Sequence, residues 1–169
     1  KTLLEITNEL PDIRLTISVN HKNNVTIKTE LGEYDIMARA PDEFPATPEQ
    51  KEGTKITTNG EVLKKVIDAT AFAVSRDELK PALTGVLMQI TQAGITSVST
   101  DGHRLVKYSR KDFKSSGFFG DIIVPRKFLS YLSAHLPDSE VALVVGKSHL
   151  TAKIENDFIL TRIIDEKFP

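Results

Sequence analysis

Hydrophobic positions along this chain change period several times, and each change predicts an element. In residues 1–12 (KTLLEITNELPD), Leu3, Ile6 and Leu10 recur at i, i+3 and i+7, which is one face of a helix. Pro11 stops that helix. Leu15, Ile17 and Val19 then alternate with polar residues, the period of a half-buried strand. The same order of events returns near the end of the chain. Residues 127–138 (KFLSYLSAHLPD) match residues 1–12 at Lys1 and Lys127, Leu3 and Leu129, Ile6 and Leu132, Leu10 and Leu136, Pro11 and Pro137, Asp12 and Asp138. Val141, Leu143 and Val145 alternate as Leu15, Ile17 and Val19 do. Val25-Thr26 matches Leu150-Thr151, Lys28 matches Lys153, and Tyr34 and Ile36 match Phe158 and Leu160. Asp42, Phe44 and Pro45 then match Glu166, Phe168 and Pro169. Small changes of turn length at 22–24 and 31–33 bring the two copies into line.

A repeat spaced by roughly 125 residues divides the chain unevenly. Residues 1–45 are expected to be the C-terminal half of one domain, and 54–169 a complete second domain. Between them, 46–53 (ATPEQKEG) reads as a polar linker bearing Pro and Gly. Inside the second domain a strand over 54–58 precedes a helix over 60–74, with Asn59 as its N-cap and Val62, Val66, Ala69 and Ala73 along one stripe. Strands are expected at 83–91, 95–100 and 105–111. A short strand at 122–124 then leads through Pro125, at a first-turn position, into a helix over 126–136, and three more strands follow. The pattern is β-α-β-β-β written twice. Helices set apart from antiparallel hairpins give an α+β class.

Composition narrows the function classes. The chain has 169 residues, 40% hydrophobic and 27% charged, which fits a folded chain. It has no Cys, so disulfides, thiolate metal sites and a Cys nucleophile are excluded within it. No apolar run approaches the roughly 18 residues of a membrane helix, and no signal peptide opens the sequence. Asn24-Val25-Thr26 is formally a glycosylation sequon, with nothing else pointing to secretion. The net charge is −1. A protein that grips many phosphates carries an excess of Lys and Arg, so any contact with nucleic acid here is local and weak or depends on how charge is distributed.

The densest motif is Ser99-Thr100-Asp101-Gly102-His103-Arg104-Leu105. Asp101-Gly102 between two alternating runs signals a hairpin, and the turn alone accounts for both residues. Asp101, His103 and Arg104 also form a tempting acid–base cluster. Against an enzyme, adjacent strand residues alternate faces, no G-x-S-x-G accompanies them, and no Walker or Rossmann glycine pattern occurs. His21, His135 and His149 show no metal-ligand spacing, and His21 and His149 fall near hairpin turns.

The string Thr100–Leu105, followed by Val124-Pro125-Arg126-Lys127 and taken with the helix segment 63–74 and the terminal 165–169, resembles the second domain of the bacterial beta clamp family, the beta subunit of DNA polymerase III. The resemblance covers essentially the whole chain, with residues 1–50 similar to the end of the family's first domain; its third domain has no counterpart here. It implies a non-catalytic processivity factor with the DNA-clamp fold: a head-to-tail homodimeric ring, sheets outside and helices lining a hole through which duplex DNA threads. Such a ring needs only weak, sequence-independent contacts. It also implies no cofactor or metal, no membrane and a cytoplasmic, nucleoid-associated setting. The implied partners are double-stranded DNA and, through short linear motifs, the polymerase III alpha subunit, the clamp loader and repair polymerases.

Carried over by position, the resemblance assigns one wall of a peptide-binding groove to Leu83, Thr100, Gly102, His103, Arg104, Leu105 and Pro169. Leu83, Leu105 and Pro169 offer apolar surface to a Leu or Phe anchor. Gly102 admits a close backbone, and His103 and Arg104 supply donors to peptide carbonyls. Candidate DNA-facing residues are Lys1, Lys64, Lys65, Lys80, Arg126 and Lys127. Spacing alone favours reading these as ordinary solvated helix charges; the ring that the resemblance implies is what raises the DNA-facing reading. After Lys80 the sequence departs from some relatives: Pro81 and Ala82 replace aromatics and provide no stacking platform. A β-rich adaptor that binds peptides without encircling DNA is the other reading of the same residues.

Overall fold

In a computed structural model, which describes residues 1–46, 52–155 and 157–169, the chain forms two compact units, Lys1–Glu49 and Gln50–Pro169. Most of the expected linker at 46–53 lies outside the described residues.

The first unit is a helix α1 (Thr2–Glu9) followed by β1 (Thr16–Val19), β2 (Asn24–Thr29) and β3 (Gly32–Met37), which pair antiparallel in the order β1-β2-β3. Asp35 on β3 ties the sheet by accepting from Thr26 Oγ1 at 2.6 Å and Asn24 Nδ2 at 3.1 Å. Ile27 is fully buried, but Ile17 is 50% and Val19 64% exposed. The alternation in this strand therefore makes an apolar face that the described residues of the unit leave open.

The second unit contains β4 (Thr54–Asn59), α2 (Gly60–Thr70), β5 (Gly85–Thr91), β6 (Gly94–Thr100), β7 (Leu105–Arg110), β8 (Gly120–Pro125), α3 (Arg126–His135), β9 (Glu140–Val145), β10 (His149–Ile154) and β11 (Asp157–Arg162). This is the twice-written β-α-β-β-β order. Its two antiparallel sheets run β7-β6-β5-β8 and β11-β10-β9-β4. Each half thus lends its first strand to the other half's sheet. The exchange is symmetric in register: Asn59, the N-cap of α2, pairs with Glu140 at the start of β9, and Pro125, the N-cap of α3, pairs with Gly85 at the start of β5. One core serves both halves. It joins Leu63, Val66 and Ile67 of α2 to Phe128, Leu129 and Leu132 of α3 and to Val86, Val124, Leu143 and Leu150 of the sheets.

The repeat is also visible in strand pairing. Val19 pairs with Val25 and Ile17 with Ile27, as Val145 pairs with Leu150 and Leu143 with Ala152. Here the β1–β2 connection is one residue longer, as the sequence match requires. At the next hairpin the match needs correction. Thr29 pairs with Gly32 and Ile154 with Asp157, so both connections hold the same number of residues. Tyr34 then corresponds to Ile159, since Tyr34 pairs with Ile27 and Ile159 with Ala152. Phe158, aligned with Tyr34 from sequence, is 57% exposed, whereas Ile159 packs on the core. A slip of one residue changes the face of every side chain in a strand.

Two helix details also differ from expectation. Asn59 caps α2, its Oδ1 accepting from the Val62 amide at 3.0 Å. The buried face of α2 is Leu63, Val66, Ile67 and Thr70; of the expected stripe Val66 and Ala73 are buried and Val62 packs on the core, while Ala69 is half-buried and Leu63 and Ile67 were not foreseen. The regular helix ends at Thr70 in a 3-10 turn, Ala71–Ala73. Pro125 is the N-cap of α3 with an extended backbone, φ −57° and ψ 138°, one position before the first turn.

The start of α2 packs directly on the chain leaving α3. Gly60 N donates to Ser139 O at 2.8 Å and Asn59 Nδ2 to Asp138 O at 3.1 Å. A Cβ on Gly60 would stand 2.0 Å from the Pro137 carbonyl oxygen. Gly60→Ala is therefore expected to lower stability by about 1–3 kcal/mol, read as a shifted urea midpoint at constant slope; an unshifted midpoint would contradict this packing.

Candidate partner groove and nucleic-acid face

Five of the residues expected to line the groove lie on the β6–β7 hairpin. Thr100 pairs with Leu105, and residues 101–104 make the turn. The turn is held by its own side chains. Asp101 Oδ1 accepts from the amides of His103 and Arg104, both at 3.0 Å. Thr100 Oγ1 donates to the Arg104 carbonyl at 2.7 Å and accepts from Gly102 N at 3.1 Å. Gly102 has φ +91°, which side-chain-bearing residues rarely adopt. Asp101 is thus spent on the turn. Accepting the two backbone donors, with the Arg104 guanidinium beside it, holds its carboxyl below the usual aspartate range. Gly102, His103, Arg104 and Leu105 are exposed, Leu105 at 65%.

Arg104 reaches back to the end of α2. Its Nε donates to Asp101 Oδ2 at 3.1 Å and its Nη2 to the Phe72 carbonyl at 3.3 Å, and the guanidinium lies 5.6 Å from the centroid of the Phe72 ring. Leu83 belongs to a second 3-10 turn, Pro81–Thr84, just before β5. Its carbonyl accepts from Ser75 N at 2.8 Å, and its side chain is buried. Three segments, 71–75, 81–84 and 100–105, therefore gather at the end of the β7-β6-β5-β8 sheet. Pro169 lies at the end of the described chain. With Leu87, Phe118, Asp121 and Arg162 it lines a cavity of about 710 Å³ that has none of residues 100–105 on its wall.

The candidate cations fall into two groups. Lys1 pairs with Glu5 at 3.7 Å and Lys65 with Glu61 at 2.5 Å, each one helical turn apart. Lys64 bridges the helices: its Nζ donates to the Ser133 carbonyl of α3 at 2.7 Å and lies 3.9 Å from Asp68, which in turn accepts from Ser133 Oγ at 2.5 Å. These three lysines have local roles. Arg126 and Lys127, in the first turn of α3, instead line a cavity of about 580 Å³ with Arg76, Glu78 and Ser130. Lys80 stands at the N-cap of the 81–84 turn.

Two contributors escaped the sequence reading. Arg76 joins Arg126 and Lys127 only because the segment after α2 folds back beside α3, which no local period announces. Phe72 sits inside an apolar helical pattern and looks like core, yet it is 51% exposed. Among the described residues no group of three His, Asp or Glu side chains could hold a metal, and no helix is long and apolar enough to cross a membrane.

Comparison with known proteins follows this geometry closely. The family model described as the central domain of the DNA polymerase III beta subunit matches residues 57–169. The beta sliding clamp of Halalkalibacterium halodurans is 31% identical over 175 residues, covering 100% of this chain and 46% of that protein. That of Bacillus subtilis is 29% identical, covering 98% and 44%. Among solved structures, the DNA polymerase III subunit beta of Pseudomonas aeruginosa superposes with a TM-score of 0.75 at 28% identity, over 99% of this chain and 47% of that one. The beta chain of Streptococcus pneumoniae gives 0.76 at 27% identity, over 99% and 45%. The chain spans about half the length of the curated relatives it matches.

The turn makes its own prediction. A carboxyl with a lowered folded value contributes order above its unfolded value and loses it as pH falls through the folded one. Amide shifts of His103 and Arg104, followed by NMR, are expected to titrate with a midpoint below the ordinary aspartate value of 3.8. Asp101→Ala should abolish that step; a midpoint at or above 3.8 would show that the carboxylate does not hold the turn.

Proposed function

This chain belongs to the family of the bacterial beta sliding clamp, the DNA polymerase III beta subunit, and from that membership we propose that it is a segment of a clamp that encircles duplex DNA and confers processivity on the replicative polymerase. Residues 1–45 are the C-terminal half of the first domain and 54–169 the whole second domain of a longer, cytoplasmic, nucleoid-associated, non-catalytic protein that closes head-to-tail as a homodimeric ring. The observation that carries this reading is the duplicated module. Residues 1–45 repeat the helix-and-three-strand order of 126–169 with the same β1–β2 pairing register, and the described residues of the first unit leave an apolar sheet face open.

A ring explains the charge balance. Enclosure holds DNA without a tight phosphate grip, so a net charge of −1 is compatible with a basic patch on the helix side. Arg76, Arg126 and Lys127 supply that patch, with Lys80 nearby in sequence; Lys1, Lys64 and Lys65 add to the field from exposed or, for Lys64, half-buried positions beside acidic or carbonyl partners that hold them weakly. A peptide adaptor without DNA leaves this clustering unexplained.

The hairpin and the 81–84 turn form one wall of the groove for short linear motifs of the polymerase alpha subunit, the clamp loader and repair polymerases. Leu105 gives exposed apolar surface, Gly102 close approach, and His103 a donor at the rim. Leu83 backs the wall, and Pro169 adds apolar surface to it in this reading.

Two measurements on the full-length protein test the proposal. Arg126→Gln with Lys127→Gln is expected to reduce the slope of log affinity for DNA against log salt by about two; an unchanged slope removes both from the DNA face. His103→Ala with Leu105→Ala is expected to weaken binding of a Gln-x-x-Leu-Phe peptide about ten-fold or more, measured by calorimetry. Equal affinity overturns the groove.

A further inference from the structure

Phe72 follows α2 in the turn Ala71–Ala73, and the residue is 51% exposed. The Arg104 guanidinium lies 5.6 Å from the centroid of its ring and donates through Nη2 to the Phe72 carbonyl at 3.3 Å. The same guanidinium donates through Nε to Asp101 Oδ2 at 3.1 Å. One planar group is therefore stretched between the hairpin and the segment that follows α2, with an aromatic ring beside it.

The α2 anchor is firm. Ser99 Oγ donates to the Thr70 carbonyl at 2.6 Å, and Thr70 Oγ1 donates to the Val66 carbonyl at 2.8 Å while lying 3.2 Å from Ser97 Oγ. Thr70, Ser97 and Ser99 are all buried. The helix end is thus fixed to β6 from inside, and residues 102–105 are exposed outside. An exposed turn of this kind is ordinarily mobile, and any ligand that needs it ordered loses affinity to that ordering.

We propose that Phe72 is a positioning residue for the partner groove: it seats Arg104, and through Arg104 fixes the 101–104 turn in the orientation that presents His103 and Leu105 to a docked peptide. The inference rests on the groove reading above. It makes Arg104 a strut, with its ligand-facing capacity limited to the donors left over from Asp101 and Phe72.

The test uses the full-length protein and a Gln-x-x-Leu-Phe peptide. Phe72→Leu keeps apolar volume and removes the ring face; affinity is expected to fall about two- to five-fold, with the thermal midpoint and retention on DNA unchanged. Phe72→Trp, which keeps the ring, should restore binding. Arg104→Lys cannot span Asp101 and the Phe72 carbonyl at once and should lose a similar factor. The double variant Phe72→Leu with Arg104→Lys should be no worse than the poorer single one, because both remove the same link. Additive losses, or full affinity in Phe72→Leu, would overturn the positioning role while leaving the groove intact. Failure of the unsubstituted protein to bind the peptide would remove the groove itself, and Phe72's role with it.

Discussion

Each sheet of the Gln50–Pro169 unit is completed by a strand from the other half: β4 closes the sheet of β9, β10 and β11, and β8 closes that of β5, β6 and β7. A half taken alone would leave one sheet short of a strand and its first strand unpaired, with backbone donors exposed. The exchange also fixes the helices. Each helix begins where its exchanged strand ends, at Asn59 and at Pro125, so crossing the strands brings α2 and α3 together over one core. The close approach of Gly60 to the Pro137 carbonyl is the local cost of that geometry, and only a residue without a Cβ accommodates it.

From this constraint the two candidate faces follow. The far end of the β7-β6-β5-β8 sheet carries the 100–105 hairpin and, beside it, the segments that leave α2 and enter β5. The first turn of α3 lies next to the segment after α2, which gathers Arg76, Arg126 and Lys127. The candidate groove wall and the candidate basic patch both draw on one excursion, residues 71–84, that links α2 to β5: it brings 71–75 and 81–84 beside the hairpin and Arg76 beside α3. Neither depends on a titratable residue with chemistry of its own. Asp101, the most suggestive one, is consumed in holding backbone amides.

Much of this was legible in the sequence. The alternation at Val141, Leu143 and Val145, the Leu129 and Leu132 stripe, the Asn59 cap and the Asp101-Gly102 turn each have a local cause, and local causes can be read from a string. The errors came where the cause is not local. The stripe of α2 runs through Leu63 and Ile67 because α3 and both sheets surround that side, whereas Val62 and Ala69 fit a helical period equally well on paper. Tyr34 aligned with Phe158 because both are aromatic, although strand pairing equates Tyr34 with Ile159. The site was the least legible part. Arg104 was read as a donor at the groove rim, and its ties to Asp101 and Phe72 need the fold.

In the proposed ring the duplex is held by enclosure, with surface charge playing a minor part. The direct test of enclosure is co-elution of the full-length protein with nicked circular plasmid after enzymatic loading, before and after a single cut. Retention on the circle at salt concentrations that abolish ordinary phosphate contacts, followed by release on linearisation, is the predicted result. Equal retention on circular and linear DNA, or loss from both as salt rises, would contradict it.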